Sequence, residues 1–190
     1  FVSGLVVAAA LAEGPTRIVL EHGTPARPYV DLTLTCLEAF GGRTHWDGDT
    51  VVVTPQPLSA ETHAIEPDAS AAPYPRTLAA IHGGTASVEL GTASMQGDAK
   101  FATVLERLGA RVSQTATRTT VEGGGPLRGG AFDLTDMPDM TLTLAVAALF
   151  AEGPTDVRGV AILRHHESDR LAVAATELRK LGATVDERPD

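Results

Sequence analysis

Seven consecutive positions, Arg164-His165-His166-Glu167-Ser168-Asp169-Arg170, hold two arginines, two histidines and two carboxylates in an otherwise Ala-, Leu-, Thr- and Gly-rich chain. They lie at the front of a segment with helical spacing. Ser168 is the natural N-cap of that helix. Arg170 then falls in the first turn, where a cation opposes the helix dipole. An anion bound at the same helix start reverses the penalty, because Arg170 and the free backbone N–H groups both face it. On this reading Arg170→Ala leaves ligand-free stability equal or slightly higher. The competing reading is a solvated network of ion pairs joining Arg164 or Arg170 to Glu167 or Asp169. A metal site is disfavoured, since adjacent His165 and His166 point different ways on any regular element and no third ligand sits at a usual spacing.

A second cluster is DLTDMPDMTLTLAVAALF, residues 133–150, in which Asp139 stands just before a long apolar helix. It reads either as an N-cap or as a carboxylate facing the same cleft as Glu167. Two carboxylates beside one anion site suit general acid–base chemistry.

A repeat supplies the elements that position these groups. LVVAAALAEGPTRIVLEHG, RTLAAIHGGTASVELG and LTLAVAALFAEGPTDVRG each run helix, Gly, Thr, strand, and Gly14, Gly84 and Gly153 lie 70 and 69 residues apart. DLTLTCLEAFGG, KFATVLERLGA and LAVAATELRKLGA follow, with Gly41, Gly109 and Gly182 spaced by 68 and 73. Two independent motifs with one period mark a repeated supersecondary unit of about 70 residues. Each unit reads helix, strand, helix, strand, with further strands closing it. In the last one Leu171, Ala174, Ala175, Leu178 and Leu181 form an apolar stripe, and Gly182 is the C-terminal stop. The first helix of each unit is apolar nearly all round, which predicts burial on every side. The fold class is α/β, with helices inside a layer of sheets.

The Pro-, Ser- and Ala-rich stretch 54–75 is the best domain boundary, and GGGPLRGG at 123–130 is a looser joint. Those glycines match neither a P-loop nor a dinucleotide-binding fingerprint. Fifteen Lys+Arg against 24 Asp+Glu give a formal charge of −9, which argues against nucleic acid or an anionic membrane as partner. The single cysteine, Cys36, allows no internal disulfide, fits a reducing, cytoplasmic compartment, and is expected to be buried. The run Leu5–Ala12 is too short to span a bilayer and follows no basic region. The chain starts with Phe1, which suggests a segment of a longer protein.

These residues resemble a family. RHHESDRLAVAATELRKLGATV is similar to the Arg-x-Lys-Glu-Thr-Asp-Arg signature of EPSP synthases (3-phosphoshikimate 1-carboxyvinyltransferases) and the helix behind it. DMPDMTLTLAVAALFAEGPTDVRGVA resembles the family's Pro-Asp-x-x-Met-Thr segment. SMQGDAKFATVLERLGARV resembles its Gln-Gly-Asp segment, EPDASAAPY its Glu-Gly-Asp-Ala-Ser-Ser-Ala stretch, and FVSGLVVAAALAEG the residues after Ser-Ser-Gln. The resemblance covers essentially the whole chain in order. It implies six βαβαββ units in two domains, an inside-out α/β barrel that is incomplete here. Residues 1–65 would be the last unit of the first domain, and 66–127 and 128–190 two units of the second.

The family transfers the enolpyruvyl group of phosphoenolpyruvate to the 5-hydroxyl of shikimate 3-phosphate, releasing phosphate, with no cofactor or metal. The resemblance implies Asp139 as the base and a shikimate ligand, Glu167 as the proton donor and Arg170 as a phosphoenolpyruvate ligand. It implies His166, in place of the family's Lys, as a further substrate ligand, with Arg27 and Tyr29 in the Arg-Pro-Tyr run. Ala26 replaces the family's phosphate-binding Ser, and Ile162 its Asn. The family's N-terminal Lys, Gly-rich loop and Ser-Ser-Gln are not in these 190 residues. The remainder of a two-domain chain is therefore an implied partner, and the segment alone is expected to be inactive. A UDP-N-acetylglucosamine enolpyruvyl transferase and a non-catalytic anion-binding relative are the alternatives.

Overall fold

The computed structural model describes all residues, 1–190, as two compact units, Phe1–Ile65 and Glu66–Asp190. In the first, α1 (Val2–Ala9) leads to β1 (Thr16–Val19), α2 (Arg27–Ala39), β2 (Arg43–Asp47) and β3 (Thr50–Thr54). The strands form an antiparallel sheet in the order β1-β3-β2, with Thr16 opposite Val53 and Arg43 opposite Thr54. The last strand takes the middle place, so its valine run is buried throughout. Both helices pack on this sheet through Val6, Ala9, Val30, Leu34, Leu37, Val51 and Val53.

The second unit opens with the same plan. It has α3 (Pro73–His82), β4 (Gly84–Val88), α4 (Phe101–Leu108), β5 (Arg111–Gln114) and β6 (Thr119–Gly123). Its sheet runs β4-β6-β5, again antiparallel with the last strand in the middle. The chain continues through β7 (Leu127–Arg128), β8 (Ala131–Asp133), α5 (Thr141–Ala148), β9 (Ala151–Glu152), β10 (Asp156–Arg158) and α6 (Arg170–Lys180). The pairs β7/β9 and β8/β10 are parallel, with α5 as the crossover. One core joins these parts, built on Phe101, Leu105, Leu108, Phe132, Leu134, Leu144 and Leu163.

The repeat extends to the hydrogen bonds that stop the second helix of each unit. Gly41, Gly109 and Gly182 stand at φ +88°, +115° and +91°, a region that only glycine enters freely. In each case the next residue donates its N–H back to a leucine carbonyl, of Leu37, Leu105 and Leu178 respectively. This is the Schellman stop that a glycine just past the helix end favours.

GGGPLRGG is a place of close backbone packing. A Cβ on Gly123 would lie 1.9 Å from the Ala79 carbonyl oxygen, and one on Gly129 2.2 Å from that of Pro154.

Three expectations are corrected. The first helices are not buried on every side: Leu5 and Val7 on α1, and Leu142 and Val146 on α5, are exposed. Each unit's sheet covers only one side of its apolar helix. Cys36 is exposed. The core-facing residues of α2 are Val30, Leu34 and Leu37, and Cys36, two positions from Leu34, points off that stripe. Leu181 is exposed beyond the end of α6, so the stripe there is buried only at Ala175.

Candidate active site

The start of α6 is a polar network. Asp169, not Ser168, is the N-cap: its Oδ1 accepts from the Ala172 N–H at 3.0 Å. A carboxylate at this place answers both the free N–H groups and the helix dipole. The Ala172 N–H, and then Arg164, hold the Asp169 carboxyl below the usual range.

Arg170 is the first helical residue, and its fork joins two carboxylates. Nη1 donates to Asp139 Oδ1 at 2.9 Å and Nη2 to Glu167 Oε2 at 2.7 Å. The arginine side chain is 29 % exposed, against 79 % for Glu167 and 50 % for Asp139. The Glu167 carboxyl is held below its ordinary range, first by its own backbone N–H, then by Arg170, with a smaller contribution from His166.

Asp139 reaches this pair because it does not cap a helix. Residues Pro138–Met140 form a 3₁₀ turn, and α5 begins after Met140 without a side-chain cap. The Thr141 hydroxyl donates to the Pro138 carbonyl at 2.7 Å and tightens the turn. The carboxylate is thereby left to face Arg170.

Asp139 and Arg170 line a cleft of about 510 Å³ with Ser70, Tyr74 and Thr77 on the α3 side and Leu142 and Val146 on the α5 side. Sequence reasoning missed Ser70 and Asp98 as individual residues, although both lie in segments that carry the resemblance. Ser70 Oγ donates to the buried Asp98 at 2.6 Å, and Gln96 bonds the Ala69 N–H and the Pro67 carbonyl. The Glu-Pro-Asp-Ala-Ser and Gln-Gly-Asp segments are thus one tied structure, and Ser70 is its face on the cleft. Only a pairing of two segments 28 positions apart reveals it.

The other expected site residues stand elsewhere. His166 is exposed beside Glu167 with extended backbone. Arg27 and Tyr29 belong to the first unit, at the start of α2. The Arg27 guanidinium lies 4.0 Å from the Trp46 ring centroid and 3.8 Å from Asp31. Tyr29 is half-buried, and its carbonyl accepts from the Thr33 hydroxyl. Ala26, before them, is the one non-glycine residue at positive φ, 54°. No three His, Cys, Asp or Glu side chains are grouped to hold a metal ion, and no helix is long and apolar enough to cross a membrane.

The model of the EPSP synthase (3-phosphoshikimate 1-carboxyvinyltransferase) family matches residues 1–190. The 3-phosphoshikimate 1-carboxyvinyltransferase of Serratia proteamaculans is 44 % identical over 195 residues, covering all of this chain and 45 % of that protein. The chloroplastic enzyme of Petunia hybrida is 42 % identical over 202 residues, covering all of this chain and 39 % of its own. Among solved structures, an EPSP synthase from Acinetobacter baumannii superposes with a TM-score of 0.72 at 26 % identity, over 93 % of this chain and 41 % of the other. The enolpyruvyl transferase NikO from Streptomyces tendae superposes at 0.59 and 21 % identity, over 82 % and 39 %, which is a likeness of fold. The chain spans less than half the length of each of these proteins.

Proposed function

Since the chain belongs to the EPSP synthase family, we propose that it supplies one wall of an active site that transfers the enolpyruvyl group of phosphoenolpyruvate to the 5-hydroxyl of shikimate 3-phosphate. The observation that carries this reading is the Arg170 fork held between Asp139 and Glu167 at the rim of a cleft. Acceptor attack needs a base for the hydroxyl proton and an acid for C3 of phosphoenolpyruvate. The hydroxyl oxygen bonds to C2 while C3 gains a proton. Then C3 loses a proton, the bond from C2 to the phosphate oxygen breaks, and phosphate leaves. Asp139 is the base and Glu167 the acid that reverses its role in the second half. Arg170 takes the anion by a charge-assisted, two-pronged contact.

The pairing also sets the order of events. Without ligand, its own backbone N–H and then Arg170 hold the Glu167 carboxyl below the ordinary range, which favours the wrong form for a donor. An anion arriving at Arg170 competes with Glu167 for the same guanidinium. Released beside a new negative charge, the Glu167 carboxyl rises in pKa and can carry a proton. His166 can donate to a substrate oxygen through a ring N–H.

Arg27 and Tyr29 are the proposed shikimate-side ligands of the first unit, residues 1–65 being the last unit of one domain and 66–190 two units of the other. The apolar faces left open on α1 and α5 suit cover by the remainder of a two-domain chain. The lone Cys36 supports a cytoplasmic location. The named relatives support shikimate 3-phosphate over a UDP-sugar as acceptor.

The test uses the full-length protein that contains this segment. Glu167→Gln and Asp139→Asn should each lower kcat for phosphate release by about 100-fold or more, the range of a lost general acid or base. The 190-residue chain alone should release no phosphate. Unchanged kcat in both variants, or turnover by the segment, would contradict the proposal.

A further inference from the structure

We propose that Arg164 is a positioning residue, which locks the carboxylate capping α6 and so fixes where the Arg170 guanidinium stands between Asp139 and Glu167. The inference rests on the reading in which Arg170 receives the anion.

Arg164 lies in a 3₁₀ turn, Ala161–His165, and its side chain is only 21 % exposed. All three guanidinium nitrogens are engaged. Nη1 donates to Asp169 Oδ2 at 2.8 Å and to Glu187 Oε1 at 3.2 Å. Nε donates to the Pro189 carbonyl at 3.1 Å, and Nη2 to the Arg188 carbonyl. Asp169 therefore divides its two oxygens: one caps the helix through the Ala172 N–H, and the other is fixed by Arg164. The next residue is Arg170.

The far side of Arg164 is anchored as well. The Asp190 carboxylate accepts from the N–H groups of Gly159 at 3.1 Å, Val160 at 2.7 Å and Ala161 at 2.9 Å. The tail that receives Arg164 is thus pinned to the turn that carries it. Residues 159–164, the α6 cap and residues 187–190 form a closed ring of contacts. Arg164 makes no hydrogen bond or ion pair with Asp139, Glu167 or Arg170. It acts on them through the position of the helix start alone. A lysine keeps the charge but has no planar fork to reach an acid and two carbonyls together. That separates positioning from a direct electric field.

The experiment follows the Glu167 side-chain carboxyl by ¹³C NMR against pH in the 190-residue chain, with Arg164→Gln and Arg164→Lys beside the wild type. The charges facing Glu167 are Arg170 and His166. In the wild type Glu167 should titrate below the ordinary glutamate range. In both variants the midpoint should move up toward that range, because Arg170 no longer stands in register. Inorganic phosphate, titrated at constant ionic strength, should bind both variants at least about tenfold more weakly, the scale on which loss of an orienting partner weakens a site. Wild-type midpoints in folded variants would overturn the proposal and leave Arg164 a purely structural residue. Recovery by Lys alone would overturn it in favour of a field effect. A wild-type midpoint already in the ordinary range would overturn it too. If Arg164→Gln does not fold, Asp169→Asn decides in the same terms, since it keeps an acceptor for Ala172 but removes the charge that Arg164 holds. No phosphate response in the wild type would count against the anion reading only, and the midpoints would still decide for Arg164.

Discussion

The second helices of the first and last repeats both begin with an arginine, and the two starts are built on opposite plans. At α2 the preceding residue, Ala26, is in the left-handed region and offers no side-chain cap. Pro28 presets the first turn, and Arg27 rests on the Trp46 ring, whose Nε1–H bonds Asp31 at 2.8 Å. At α6 an aspartate caps, a second arginine holds that aspartate, and Arg170 is shared between two carboxylates from different segments. One arginine is docked on an aromatic face; the other is held between two carboxylates. The same repeat position thus rests on an aromatic ring in one unit and joins two carboxylates in another, through the residues around it and not through the helix.

The largest expected effect lies beneath α5, which follows the 3₁₀ turn that holds Asp139 toward Arg170. Leu144 is fully buried, and Leu144→Ala should cost about 2–5 kcal/mol of unfolding free energy by denaturant titration, as large-to-small core changes do. A smaller figure would mean that the frame rests on a looser core than described.

Next is the cap. Asp169→Ala removes the acceptor for Ala172 and the partner of Arg164, and should cost about 1–2 kcal/mol. Ala26→Gly at the other helix start should instead stabilise, by up to about 1 kcal/mol, since glycine enters the left-handed region without the Cβ penalty. Opposite signs in the two melts would sharpen the contrast, and equal signs would break it.

Acid gives a third handle. The Asp169, Glu167, Asp133 and Asp190 carboxyls all lie in the second unit and are depressed, as is Asp47 in the first, beside Arg17. A depressed carboxyl contributes stability that is present above its unfolded-state pKa and is lost as pH falls through the folded one. Stability should therefore decline below the ordinary carboxylate range, and Asp169→Asn should flatten that decline. An unchanged slope would remove Asp169 from the account. The smallest effect belongs to the exposed pair of Lys180 and Glu177: Lys180→Ala should change stability by no more than about 0.5 kcal/mol.

Much of this was legible from spacing alone. The period of about 70 residues, the short strands and the glycine stops depend on local patterns; the first two repeats share one sheet order, whereas no strand follows α6 in the third. Arg170, Glu167 and Asp139 were legible as a chemical group, because charge is rare around them. The choice of Asp169 over Ser168 as cap was not, since it follows from Arg164 fixing that carboxylate from a turn stabilised by residues 187–190. Nor was the burial of Arg76 on α3, which is 1 % exposed and donates to the Leu90 carbonyl. Such outcomes depend on which distant segment folds over a residue, and periodicity carries no record of that. The exposure of α1 and α5 has the same origin, because a helix pattern states how much surface is apolar and not how much of it a single unit covers.

The central claim, that the start of α6 is an anion site held by Arg170, is tested most directly by thermal melting of the wild-type chain and Arg170→Ala against phosphate at fixed ionic strength. The two carboxylates on Arg170 change one expectation drawn from the dipole argument. Loss of the arginine should now lower ligand-free stability modestly, by no more than about 1 kcal/mol, where the helix dipole alone predicted none. Millimolar phosphate should raise the wild-type melting temperature progressively, by mass action on the folded state, and leave the variant nearly unmoved. An equal phosphate response in the two proteins would contradict the claim, whatever their stabilities without ligand.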